Sequence, residues 1–149
     1  MREKLPRIAS VKPLTGLRLA VRFEDGWEAR VDLEQFVTDF RSLAPLRDRA
    51  TFRKPKIEEW GSGVTWDNEG PLSIAATTLY RLAAEQSGEH ARRFDAWMIV
   101  NGLSATRAAQ ELGMTRRSIV SYRTGERPVP PYIRLACVGW EATRNKRAA

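Results

Sequence analysis

The chain has 149 residues with a formal net charge of +7, 42% hydrophobic and 9% aromatic residues, the make-up of a globular protein of one or two domains. No apolar run approaches the roughly 18 residues of a membrane span, and "MREKLPRIAS" lacks the apolar core of a signal peptide, so a cytoplasmic protein is expected. A single cysteine, Cys137, and a single histidine, His90, leave no internal disulfide and no Cys/His metal cluster, and no metal or cofactor is expected.

The charge is unevenly distributed. Residues 1–90 carry 14 Lys+Arg against 14 Asp+Glu, which leaves 11 and 4 of the totals of 25 and 18 for residues 91–149. The whole excess of +7 therefore lies in the last 59 residues, and ten of those eleven cations are arginine. A polyanion is the partner that such asymmetry favours.

In chain order, the first half alternates. "RIASVKP", "LRLAVRF" and "WEARVDL" place Leu17, Leu19, Val21 and Phe23, then Trp27, Ala29, Val31 and Leu33, at period two, the pattern of half-buried strands. Asp25-Gly26 between the second and third suits a hairpin turn. A short helix is predicted over Leu33–Phe40, burying Leu33, Phe36, Val37 and Phe40, and "PLRDRATF" reads as a loop or helical turn. A second hairpin is expected around "WGSG", joining strands near 54–58 and 63–66. "DNEGP" is a turn, and "LSIAATTLYRLAAEQ" reads as one helix, with Leu72, Ala75, Ala76, Leu79 and Leu82 at helical spacing.

From Glu89 onward the pattern is helical. Phe94, Trp97 and Met98 stand at i, i+3 and i+4, and Asn101-Gly102 stops that helix. Ser104 can cap a second helix reaching Leu112, Gly113 makes a corner, and Thr115 can cap a third helix whose Ile119 and Tyr122 face inward. That placement leaves Arg116, Arg117, Val120, Ser121 and Arg123 outside. Gly125 ends the third helix, "RPVPP" is a rigid connector, and Pro131 begins a fourth helix through about Thr143, with "RNKRAA" as a frayed tail. This last helix carries two apolar stripes, Tyr132/Leu135/Ala136 and Ile133/Cys137/Trp140, one expected to pack inward and the other to meet a partner.

A capped helix, a glycine turn and a second capped helix make a helix-turn-helix, and its exposed second helix is the kind that enters a major groove. "GLSATRAAQELGMTRRSIVSYRTGERPVP" resembles the helix-turn-helix of the lambda-repressor and Cro family. By that resemblance Arg116, Arg117 and Ser121 face base edges, and Ser104 lies where the preceding helix starts beside the phosphate backbone. Thr115 covers the start of the third helix, and Arg123 and Arg127 flank the closing glycine within reach of phosphates. "SVKPLTGLRLAVRFEDGWEARVDL" and "GSGVTWDNEGPL" resemble a small bacterial α+β domain of unknown function that can precede such a motif.

The expectation is therefore an α+β domain over 1–87 (a small antiparallel sheet with one or two helices), which dimerises, senses a ligand or binds a partner protein. An all-α lambda-repressor-like domain over 88–149 follows. The function expected is sequence-specific binding of double-stranded DNA by a homodimeric transcriptional regulator. The alternative is an antitoxin-like protein-interaction module whose basic domain autoregulates its own operon.

An enzyme is not expected. Glu58 and Glu59 are adjacent and would point to opposite faces of a strand. Trp66, Asp67, Asn68 and Glu69 read as a strand end and turn, His90 as a cap or linker residue, and Cys137 as a packed thiol. Arg92 and Arg93 read as a solvated helix start, and Arg144, Lys146 and Arg147 as a solvated tail.

Overall fold

The computed structural model of the protein describes residues 5–68 and 70–148. Glu69 and the side chains of Lys146 and Arg147 lie outside the described residues. The chain divides into two compact units, 1–87 and 88–149.

In the first unit, β1 (Ile8–Leu14), β2 (Arg18–Phe23) and β3 (Glu28–Asp32) form an antiparallel meander in the order β1-β2-β3. The pairing Leu19↔Val31 and Val21↔Ala29 puts the alternating apolar side chains on one face, where Leu19, Val21, Phe23 and Val31 are buried. Gly26 turns the hairpin at φ 95°. The short helix α1 (Glu34–Asp39) buries Val37, but Phe36 is half-buried and Phe40 is 50% exposed, not buried as its spacing predicts. The helix stops at Asp39, and Phe40 turns extended and lies against Phe36, with ring centroids 4.6 Å apart.

A 3-10 turn (Arg41–Arg47) and a single α-turn, α2 (Arg49–Phe52), follow, anchored by buried Leu43, Leu46 and Phe52. A second antiparallel sheet comprises β4 (Lys56–Ile57), β5 (Gly63–Thr65) and β6 (Ser73–Ala75). The stretch from Leu72 is thus not helical from its start. Val64 pairs with Ile74 and draws Ser73–Ala75 into the sheet, and the helix α3 (Ala76–Ser87) begins only after it. Leu79, Tyr80, Ala83 and Ala84 of α3 are buried. The Gln86 side chain accepts the Asp32 N–H and donates to the Asp32 carbonyl, both at 2.8 Å, fastening the end of α3 to the end of β3.

The second unit is helical: α4 (His90–Val100), α5 (Ala105–Leu112), α6 (Arg116–Thr124) and α7 (Pro131–Ala148). Their shared core holds Phe94, Trp97, Met98, Leu103, Ala108, Ile119, Tyr122, Val129, Ile133 and Cys137. The last helix outruns the expected end near Thr143, continuing to Ala148 through the stretch read as a frayed tail. Of its two apolar arcs, Ile133 and Cys137 turn inward with Trp140 packed beside them, while Tyr132 and Leu135 stand outside. Burial pushes the Cys137 thiol up to about 12, with the Glu141 carboxylate adding to the effect, so the thiol is held protonated.

Candidate nucleic-acid interface

The corner between α5 and α6 is built by short-range chemistry. Ser104 Oγ accepts the Arg107 N–H at 3.1 Å and caps α5. Ala105, Ala108 and Ala109 are buried, so small side chains line the inner face of α5. Gly113 turns the chain at φ 67°, in the left-handed region, and the Met114 N–H closes on the Ala109 carbonyl at 2.9 Å. Thr115 Oγ1 then accepts the Ser118 N–H at 3.2 Å and caps α6. Ile119, fully buried, and Tyr122 pin α6 to the core.

Arg116 and Arg117 occupy the first two positions of α6 and are exposed. Among the described residues neither forms a hydrogen bond or ion pair. Cations at a helix N-terminus oppose the helix dipole, typically by 0.3–1 kcal/mol each. Their place is therefore not explained by stability of the helix. Arg127 joins them: its guanidinium lies 5.2 Å from the centre of the Tyr122 ring, and its Nη1 donates to Ser118 Oγ at 3.5 Å. That contact brings a third guanidinium to the first turn of α6.

Two of the expected residues stand elsewhere. Ser121 is buried, not exposed, because the chain after Gly125 turns back across it: the Arg127 N–H bonds the Ser121 carbonyl at 3.1 Å and Val129 is buried beyond. Arg123 is four-fifths covered and its Nε is paired with the Asp95 carboxylate of α4, so it ties two helices together instead of reaching outward. Asp95 is the residue that the sequence gives no reason to single out, since 28 positions separate it from its partner. Ser104 and Thr115 are exposed cap residues at the starts of α5 and α6.

Elsewhere, Trp66 Nε1 donates to the Phe52 carbonyl at 3.1 Å, a structural role that fits its reading as a strand-end residue. Among the described residues no group of three or more His, Cys, Asp or Glu side chains could hold a metal ion, and no helix is long and apolar enough to cross a membrane.

Residues 8–85 match the model of the protein family of unknown function DUF2442, and the chain belongs to that family. It is 37% identical to NE0471 from Nitrosomonas europaea, a crystal structure described as a "putative DNA binding protein". That likeness covers 94% of this chain and 89% of the other, with a TM-score of 0.62. Comparison with curated proteins finds no match.

Proposed function

We propose that the protein binds double-stranded DNA sequence-specifically as a transcriptional regulator, with α5 and α6 acting as a lambda-repressor-like helix-turn-helix and α6 lying in the major groove. The observation that carries this reading is the pair Arg116 and Arg117: exposed, unengaged, and held against the dipole at the start of a doubly capped helix. An arginine there can grip guanine through O6 and N7. Arg127, with the N–H groups at the starts of α5 and α6, would meet phosphates. The description of the Nitrosomonas relative and the +7 confined to residues 91–149 support the same partner. The reading is of a binding protein, not an enzyme, and needs no cofactor.

The test is a titration of the full chain and its variants against a randomised-site duplex library. Arg116→Ala and Arg117→Ala each cost about 1–3 kcal/mol on the preferred site and relax the preference at one base position. Affinity falls by roughly 10³-fold between 50 and 200 mM salt if about six phosphates are neutralised. Ile119→Asp is the unfolded control. Folded arginine variants that select the same sites with wild-type affinity overturn the proposal.

A homodimer belongs to this reading. Tyr132, Leu135 and Val138 are 65%, 71% and 66% exposed along the outer face of α7, an apolar stripe suited to self-association. Sedimentation as a monomer at tens of micromolar, with and without DNA, refutes it. The antitoxin-like alternative draws on Trp60, which is 74% exposed and held at φ 64°, a conformation uncommon for a bulky residue. It requires a second protein to co-purify with the chain from its native host.

A further inference from the structure

Residues 1–90 carry no net charge, yet their cations are not spread evenly. Five of the 14 Lys and Arg in residues 1–90 line one open cleft of about 850 Å³, formed by the β1–β2 turn, β3 and the helical stretch 46–53. They are Arg18, Arg30, Arg47, Arg49 and Arg53, against one carboxylate, Glu34. We propose that this cleft binds a small molecule bearing a diphosphate or triphosphate group, with Arg30, Arg49 and Arg53 as its principal ligands.

Two of the five guanidiniums are already fixed. Arg18 donates to the Thr15 carbonyl at 3.0 Å and to Thr15 Oγ1 at 3.2 Å. Arg47 donates to Glu34 Oε1 and to Thr38 Oγ1, each at 2.8 Å. The other three are exposed and, among the described residues, form no hydrogen bond or ion pair. Like charges gathered in one cleft repel one another, and a bound anion relieves that cost. Guanidinium forks match phosphate oxygens two at a time.

Five cations against one carboxylate leave a local charge of +4, which a diphosphate or triphosphate balances and a single carboxylate does not. The cleft is also not wholly polar. Leu14 and Leu17 are half-buried on its wall, with Leu46 and Phe52 at its base, which gives the ligand's organic body an apolar surface. Its volume lies within the range of about 300–1,000 Å³ typical of small-molecule sites.

Binding at this cleft does not depend on what the second unit binds. The experiment follows backbone amide shifts of the full chain, at about 0.15 M ionic strength, during titration with adenosine diphosphate, inorganic pyrophosphate, adenosine and a duplex oligonucleotide. Saturable shifts are expected with adenosine diphosphate and pyrophosphate at residues 13–18, 30 and 46–53, and none with adenosine. The combined Arg30→Ala, Arg49→Ala, Arg53→Ala variant loses about tenfold or more in affinity for both anions, its folding checked by circular dichroism. Arg116→Ala, Arg117→Ala binds them as the wild type does. The proposal is overturned if the anions shift only residues 88–144, if the triple variant binds unchanged, or if the cleft amides answer to the duplex alone.

Discussion

Replacing Arg123 with Met removes the cation of the Arg123–Asp95 pair while keeping most of the side chain's packing. Both side chains are about four-fifths covered, at 20% and 19% exposure, so water screens their attraction poorly and cannot fully solvate whichever charge is left behind. A fully buried pair broken on one side costs about 3–5 kcal/mol. With this partial exposure about 2–3 kcal/mol is expected, or roughly 10 °C or more in the midpoint of a unit of this size. The readout is amide hydrogen exchange on α4 and α6, which reports the second unit separately from the first. Asp95→Leu costs a similar amount, and the double variant costs less than the sum by about 1–2 kcal/mol, because neither charge is then left without the other. Under the proposed reading, the Arg123→Met protein, folded below its midpoint, keeps the affinity of the wild type for duplex DNA. A variant with undiminished protection but weakened DNA binding refutes this reasoning and makes Arg123 a phosphate contact.

Two further predictions concern the same unit. Thr115→Ala strips the cap from α6 and costs about 1 kcal/mol, read as faster exchange of the Ser118 amide and the rest of the first helical turn. Cys137, with its thiol pushed from 9.0 to about 12, binds its proton more tightly folded than unfolded; the stability this confers is complete below about pH 9 and is lost as pH rises toward 12. The wild type therefore loses stability over that window relative to Cys137→Ala in denaturant titrations, and equal slopes refute the assignment.

What was legible in the sequence was set by near neighbours. The alternation of Leu19, Val21 and Phe23 survives because one face of the meander is buried, and a one-residue slip would expose all three. The caps Ser104 and Thr115 and the turn glycines 113 and 125 act within three or four residues, so their chemistry can be read locally. The departures arise from distant contacts. Ser73–Ala75 is a strand only because β5 lies beside it. Ser121 sits on the outward side of a simple helical wheel, yet it is buried in the fold, where the returning chain bonds its carbonyl through the Arg127 N–H. Arg123 reads as a surface cation until Asp95, 28 residues earlier, is brought against it.

The burial of Ser121 and the pairing of Arg123 bear on specificity under the proposed reading. Ser118 is engaged in the Thr115 cap and Val120 is half-buried, so α6 offers base edges two guanidiniums, Arg116 and Arg117. Each bidentate arginine–guanine pair discriminates by about 1–3 kcal/mol, so one copy supplies roughly 2–6 kcal/mol. Against about 10⁶ competing genomic positions, on the order of 8 kcal/mol is required. One copy falls short, and two copies reach roughly 4–12 kcal/mol. The preferred site is therefore expected to be an inverted repeat, with two guanine contacts in each half and centres about 10 bp, or 34 Å, apart. Scrambling one half-site should then remove about half of the sequence-dependent binding energy while leaving the salt-dependent, non-specific part in place. A site of one half, bound as tightly as the full repeat, would show that specificity comes from a single copy and that the bases are read by residues other than this arginine pair.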